Sequence, residues 1–404
     1  MASISLRTTD KSIEKIAQAP QCARALEWIG SKTKWVTDQH VYLTEIPAPV
    51  GGEARRAEYV KRLFDNMDLR TRIDEVGNAI AERPGASEGV ILLAAHLDTV
   101  FPADTEIRVK RDGARLVAPG ISDNGAGLAS MIAVAGALSE SGVRTRKTIV
   151  FAGDVGEEGE GNLRGIRALV EGYRSRLSAV IAVDGPSVEH VTVQGIASRR
   201  FEIVISGPGG HSWSDFGGPS AITALARGIV EFSAVRVSDR PRSSFNFGVI
   251  EGGNSVNSIP SRAAVRADLR SESESELARL EASLRQAMQA GARQEADFTG
   301  ARADELELTF TSLGARPPGK LPEDSSLLET IREVDNFLGT HARLEQSSTD
   351  ANFPLSLGIP AVSLGGGGTG GGAHTTSEWY DPTGRALGLK RLCLITLALA
   401  GILP

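Results

Sequence analysis

The sequence predicts an α/β fold interrupted by a smaller α+β domain. Three observations carry this. Val90–His96, Thr148–Ala152 and Ala179–Val183 are near-continuous apolar runs of strand length, as expected of strands buried on both faces of a mostly parallel sheet. Helical patterns lie between them, and alternation of strand and helix is the α/β signature. After about residue 195 the strands alternate polar and apolar residues instead, which is how a sheet with one open face reads.

The elements follow in order. The first 50 residues read as helices broken near Pro20, Gly30 and Pro47. Gly52–Asp68 places Tyr59, Val60, Leu63 and Phe64 at helical spacing against a charged face. Thr71–Glu75 and Ala79–Arg83 read as short strands before the buried run ending at His96. Asp123–Leu138 follows a Pro-Gly turn and reads as a helix opened by an acidic residue. Asn162–Tyr173 is the next helix. In the second texture, Phe201–Ile205, Phe245–Ile250, Ala263–Leu269 and Leu306–Thr311 read as strands, with helices over Ser220–Ala234 and Glu274–Gln294. That is strand, helix, strand, strand, helix, strand. Arg316–Pro322 is Pro-rich and reads as a linker. Helix and buried strand then return over Ser325–Leu338, Ile359–Leu364 and from about Thr383. The chain therefore divides into a main domain over 1–195 and 316–404 and an insert over 196–315.

Composition narrows the function. At 404 residues, 41% hydrophobic and 23% charged, the chain has enough apolar surface for ordered domains. A net charge of −6 gives no general attraction to nucleic acid or an anionic membrane. Two cysteines, Cys22 and Cys393, exclude a disulfide framework and a Cys-rich zinc site. Met1–Lys15 lacks a signal-peptide core, and the apolar run Leu392–Pro404 is too short to span a bilayer. The expected location is the cytoplasm.

The six histidines include three in unusual surroundings. His96 closes a buried strand and is followed by Asp98, two residues on and facing the same side. An Asp so placed can hydrogen-bond the ring nitrogen turned away from a metal. Asp123 lies among glycines in Gly120–Gly127, Glu157 and Glu158 follow a buried strand, and Asp184 ends the next. His374 follows the glycine tract Gly365–Gly372. Each alone has a plainer reading: a core His, a helix N-cap, a solvated acidic turn, a turn Asp, a surface loop. Together they set two His and several carboxylates at strand ends and turns of one α/β domain. This donor mix suits zinc. A paired metal site needs one bridging carboxylate and two terminal ligands per ion. Five such residues with one carboxylate left as base fit that count.

Read jointly, His96-Leu-Asp-Thr-Val100, Gly120-Ile-Ser-Asp-Asn-Gly-Ala-Gly127, Gly156-Glu-Glu-Gly159, Val183-Asp-Gly185, Gly209-Gly-His-Ser212, Asn257-Ser-Ile-Pro260 and Ala373-His-Thr375 resemble, in order and spacing, the co-catalytic zinc exopeptidases and deacylases. That family includes aminoacylase, carboxypeptidase G, peptidase T, succinyl-diaminopimelate desuccinylase and acetylornithine deacetylase. The resemblance covers nearly the whole chain. It implies a mostly parallel sheet with helices on both faces, carrying a ferredoxin-like insert that serves as lid and dimerisation domain.

The resemblance also implies roles. Two Zn²⁺ per subunit would be held, one by His96, Asp123 and Asp184, the other by Asp123, Glu158 and His374, with Asp123 bridging. Co²⁺ or Mn²⁺ would accept the same ligands. Asp98 would support His96, and the Asp123–Asn124 peptide would be cis. Glu157 would be the general base for attack of a zinc-bound hydroxide on an amide carbonyl, and His211 would stabilise the oxyanion. Asn257 and Arg270 would bind the substrate's carboxylate or backbone. In the family the residue equivalent to His211 acts across a dimer, so a homodimer formed through the insert is expected.

The expected activity is cleavage of small peptides, in the manner of an aminopeptidase or dipeptidase. Asp at position 184 and the run Glu157–Arg164 resemble the peptidase branch of the family. The alternative is an N-acyl-amino-acid deacylase of the acetylornithine deacetylase or desuccinylase type. Gly372 departs from the family, which commonly has a polar residue two before the last His. A non-catalytic metal-binding protein is a third reading, though every expected ligand and the base are present. A serine hydrolase lacks its G-x-S-x-G elbow. The formal G-x-G-x-x-G at Gly365–Gly370 lacks the helix and distal acid of a dinucleotide site.

Overall fold

The computed structural model describes residues 13–404. The signal-peptide reading of the first residues lies mostly outside them. The chain forms two compact units, one built from the chain up to Gly195 and from Gly319 onward, the other from Ile196–Pro318.

The larger unit is organised on a nine-stranded sheet. Its centre is four parallel strands in the order Thr148–Asp154, Val90–His96, Leu177–Val183 and Ala361–Leu364. All seven residues of Val90–His96 are buried. Burial of both side-chain rows requires packing on both faces of the sheet, as the unbroken apolar run predicts. Antiparallel strands flank the centre: Ala79–Arg83 and Arg70–Ile73 on one side, His190–Gly195 and Gly319–Lys320 on the other. Arg343–Ser347 pairs in parallel with His190–Gly195.

Three helices, Ile13–Gln18, Pro20–Ser31 and Thr33–Thr44, open the unit. The second begins on Pro20, where the missing N–H costs nothing. Gly125–Ser141 is almost wholly buried and ends on left-handed Gly142. Arg385–Ala400 buries Leu392, Cys393, Leu394, Ile395 and Leu397. The C-terminal apolar run is thus a core helix, and no helix among the described residues is long and apolar enough to cross a membrane.

The inserted unit is a four-stranded antiparallel sheet in the order Ser243–Gly252, Arg262–Ser271, Ala197–Ser206, Glu307–Arg316. Helices Ala221–Ser233 and Glu274–Thr299 complete the strand–helix–strand–strand–helix–strand order. Its own core gathers Phe201, Ile203, Leu225, Phe232, Leu280 and Leu284. The architecture is the ferredoxin-like one.

Two local readings change. Arg316–Pro322 is not a free linker: Arg316 ends a strand, and Gly319–Lys320 extends the main sheet. The glycine tract is not a loose loop either. Thr369–Gly371 is a strand paired with Trp379–Asp381 in a small second sheet with Arg115–Val117 and Lys110–Asp112. A Cβ on Gly365 would sit 2.1 Å from the Pro186 and Ser187 carbonyl oxygens, so glycine is there for close packing.

Candidate metal centre

Three neighbouring parallel strands bring their carboxyl ends to one edge of the sheet. His96 closes the middle strand, Asp184 follows Leu177–Val183, and Glu157 and Glu158 follow Thr148–Asp154. That edge is where open α/β sheets bind ligands. Asp123 sits in the turn before Gly125–Ser141, and its peptide to Asn124 is cis. Asn124 caps the helix by accepting from the Gly127 N–H at 3.0 Å. The same side chain accepts from the Gly185 N–H at 3.1 Å and donates to the Val183 carbonyl at 2.9 Å. It thereby pins the Asp123 turn to the strand end that carries Asp184. His374 follows the glycine tract in the left-handed region, at φ 66°.

The side chains meet in two sets that share Asp123. His96 Nε2 lies 3.1 Å from Asp123 Oδ1 and 3.9 Å from Asp184 Oδ1. His374 Nε2 lies 3.2 Å from Asp123 Oδ2 and 3.1 Å from Glu158 Oε1. Each set keeps its donor atoms within 4.8 Å of one another, as does the overlapping trio His96, Glu157 and Glu158. The two oxygens of Asp123 thus face different histidines.

These residues fit a divalent ion in each set. Bonds of 2.0–2.1 Å to a tetrahedral ion put neighbouring donor atoms about 3.3 Å apart, close to the distances found. His96 Nδ1 lies 3.1 Å from the Asp98 carbonyl oxygen. A carbonyl only accepts, so Nδ1 carries the hydrogen and Nε2 offers its lone pair toward Asp123 and Asp184. The charges agree with the geometry. Hydrogen bonds donated to the Asp123 and then the Glu158 carboxylate push His374 up to about 10. Burial opposes ionisation of His96, yet the Asp123 and Asp184 carboxylates hold it well above its ordinary range. Burial likewise opposes ionisation of Asp123, but His374 and His96 hold its carboxyl below the usual range. Carboxylates outnumber imidazoles here, so the cluster carries excess negative charge, as a cation-binding site requires.

Asp98 acts differently from the expectation. Its carboxylate stands 3.8 Å from His96 Nδ1, beyond hydrogen bonding. Instead it accepts from the backbone N–H groups of Glu157 at 3.0 Å and Glu158 at 2.7 Å. Asp98 therefore holds the turn that presents both glutamates. Leu97 N–H donates to the Asp154 carbonyl at 2.6 Å, which draws the two strand ends together. The alternating pattern placed Asp98 on the right face but could not foresee that the nearer donors are backbone groups of the turn that follows a neighbouring strand.

Two site residues were not legible as such. Asn124 is one. The other is Glu378, fully buried, whose carboxylate accepts from the Gly120, Ser122 and Asp123 N–H groups and from the Ser122 hydroxyl. Its only sequence signal is an acid four residues after His374.

The remaining expected residues lie on the inserted unit, in two places. His211 and Asn257 are neighbours: Gly210–His211 pairs with Ser258–Ile259, and the Ser212 N–H donates to the Asn257 carbonyl. His211 Nδ1 accepts from the Trp213 N–H at 3.1 Å and the Ser214 N–H at 3.3 Å. The imidazole thus carries its hydrogen on Nε2. Arg270 is elsewhere. It pairs with Ser198, at the end of the sheet where the chain enters and leaves the unit. Its Nε donates to Asp268 at 2.6 Å. His211 lies beyond the opposite end, past the pair Arg262–Ser206. At about 3.4 Å per residue, roughly 27 Å of strand separate the two.

Solved structures share this architecture. The chain is similar to the aminopeptidase PepT of Bacillus cereus, at 23% identity over 91% of this chain and 99% of that one, with a TM-score of 0.71. It is similar to the dipeptidase Dug1p of Saccharomyces cerevisiae at 14% identity, covering 95% and 99%, with a TM-score of 0.76. At such identities the likeness concerns the fold. A Pyrococcus abyssi protein named for LysW-lysine/LysW-ornithine hydrolysis is 33% identical over 127 residues, 31% of this chain and 34% of the relative. The chain spans about a third of the length of the curated relatives it matches. Residues 92–397 match the family described as Peptidase family M20/M25/M40. That span runs from the strand of His96 past His374, with the insert between, and the chain belongs to this family of peptidases.

Proposed function

We propose that the protein is a dinuclear metallohydrolase that cleaves amide bonds in small peptides, as an aminopeptidase or dipeptidase. The observation that carries this reading is Asp123, whose two oxygens each face a separate His–carboxylate set. His96, Asp123 and Asp184 would hold one ion, and Asp123, Glu158 and His374 the other. Zn²⁺ suits the donors, with Co²⁺ or Mn²⁺ as substitutes. When bound, the two ions supply an acidified water and Lewis-acid polarisation of the scissile carbonyl.

The chain's own groups do the rest. Glu157, nearly buried and held by Asp98, takes the proton of the attacking water and returns it to the leaving amine. His211, fixed with its hydrogen on Nε2, donates to the carbonyl oxygen as negative charge develops there. Arg270 grips a substrate carboxylate, and Asn257, beside His211, contacts the substrate backbone. His211 and Arg270 cannot both reach one small substrate from a single copy, since one sheet holds them far apart. A homodimer, with His211 supplied by the second copy, meets that requirement.

The similarity to proteins named for LysW-lysine/LysW-ornithine hydrolysis supports a second reading, a deacylase that releases an amino acid from an N-acyl group. One experiment separates the two. The metal-quantified protein is offered free-amine dipeptides and tripeptides beside N-acetyl and N-succinyl amino acids, with and without a chelator. The peptidase reading predicts chelator-sensitive cleavage of the free-amine peptides alone. Cleavage of the N-acyl compounds alone would replace it with the deacylase. Glu157→Gln should keep its metal and lose at least about 10²-fold in turnover. Normal turnover in that variant would remove Glu157 as the base.

A further inference from the structure

The three most exposed large apolar residues among those described are not scattered. They are Val256, fully exposed, Phe216 at 90% and Trp213 at 87%. All three lie on the inserted unit beside the residues assigned to substrate. Trp213 is two positions from His211, Val256 precedes Asn257, and Phe216 follows Asp215. Asp215 is bound to His211 in both directions. Its carboxylate accepts from the His211 N–H at 2.7 Å, and its own N–H donates to the His211 carbonyl at 2.9 Å. Phe216 is thereby brought back toward His211 along the chain. Val256 is brought there by the Ser212 N–H, which donates to the Asn257 carbonyl at 3.0 Å.

The loop is preformed. The His211 ring accepts from the Trp213 and Ser214 N–H groups, and the Gly218 N–H donates to the Asp215 carbonyl at 3.0 Å. Gly210 packs so closely that a Cβ on it would lie 3.0 Å from the Asp215 Cβ. Polar groups of the loop are thus satisfied by one another, and the aromatic rings are left outside. Phe298, the next most exposed, has the Arg227 guanidinium over its ring at 5.3 Å. Trp213 and Phe216 have no such partner among the described residues. Rings held in water forfeit the burial that such side chains ordinarily supply, and grouped exposed apolar residues mark a binding surface.

The place of the group says what covers it. In the function proposed above, His211 donates to the oxygen of the scissile carbonyl. Two residues of chain span at most about 7 Å, so Trp213 stands next to whatever His211 touches. That carbonyl belongs to the residue on the amino side of the bond, whose Cα carries both the carbonyl and the side chain. In a dipeptide this is the N-terminal residue.

We propose that Trp213 and Phe216, with Val256 beside them, form an apolar wall that receives the side chain of the N-terminal residue, so that the protein selects small peptides beginning with a bulky apolar residue. This rests on the peptidase reading and on the role of His211 in it. It adds the substrate class.

The test is kcat/KM of the metal-loaded full-length protein for dipeptides beginning with Ala, Leu or Phe and sharing one C-terminal residue. It is run on wild type, Trp213→Ala, Trp213→Phe, Phe216→Ala and His211→Ala, with self-association of each measured by sedimentation. Wild type should prefer leucyl and phenylalanyl over alanyl substrates by at least about 10-fold. That ratio should fall about 10-fold in Trp213→Ala and in Phe216→Ala, and largely return in Trp213→Phe. Both rings are exposed, so their removal leaves the cores untouched. A wild type without this preference, or a ratio unchanged in both alanine variants, would overturn the proposal. So would weaker self-association at an unchanged ratio, which would assign the rings to contact with a second copy. The reading beneath the proposal fails differently: wild type would cleave none of these dipeptides, or His211→Ala would keep full turnover, and the proposal would fall with it.

Discussion

Buried polar residues are where single side chains make checkable claims. His40 is fully buried, with Nε2 2.5 Å from the Ile121 carbonyl and Nδ1 2.6 Å from the Arg385 guanidinium. A carbonyl only accepts and a guanidinium only donates, so the neutral ring with its hydrogen on Nε2 satisfies both. A second proton would face Arg385. Burial, then the charge of Arg385, holds His40 well below its ordinary range. The unfolded chain therefore takes up this proton first as pH falls. The stability His40 contributes is fully present above its unfolded value, about 6.5. It is lost as pH drops toward the folded value, at up to about 1.4 kcal/mol per pH unit. Urea midpoints between pH 7.5 and 5.5 should fall less steeply in His40→Gln than in wild type. Equal slopes would show that His40 is not the source. None of this was legible from sequence, because His40 lies on a helix and its partners are 81 and 345 residues away. His96 and His374 were legible because a strand end and a glycine tract mark them locally.

At the scale of elements, legibility followed burial and period. Strands buried on both faces read as unbroken apolar runs, and Val90–His96 is found with those ends. The four three-residue strands of the small sheet carry no period, being defined by partners across the chain. Arg343–Ser347, almost wholly exposed, has no apolar signal at all. Register was likewise out of reach. Arg270 reads as a strand-end residue, but which end of the inserted sheet it occupies depends on its pairing with Ser198. One contact between helices gives a stability prediction. Arg391, 1% exposed on Arg385–Ala400, donates to both oxygens of Asp335 on Ser326–Leu338, at 2.5 and 2.9 Å. Removing one member of a buried pair leaves the other charge uncompensated, at a cost of about 3–5 kcal/mol. Asp335→Ala should lose that much by urea unfolding. A loss under about 1 kcal/mol would mean that water reaches Arg391.

For the whole molecule, the separation of His211 from Arg270 makes the proposed number of chains per active site testable. If His211 comes from the partner and Glu157 from the same chain as the metal, two inactive variants should complement each other. Mixing Glu157→Gln with His211→Ala under conditions that exchange subunits should restore about a quarter of wild-type activity. Half of the dimers are then mixed, and each mixed dimer holds one intact site. No recovery, with exchange verified, would place both residues in one copy. Charge and composition gave only the expectation of no general attraction to nucleic acid or an anionic membrane; the distance between His211 and Arg270, on which the proposed dimer rests, needs the strand register.

The central claim is that Asp123 bridges two metal ions, and crystallography of the zinc-loaded protein with anomalous scattering tests it most directly. The account predicts two peaks about 3.5–4 Å apart, one beside each oxygen of Asp123, flanked respectively by His96 with Asp184 and by His374 with Glu158. A single peak, or ions bound away from Asp123, would contradict it.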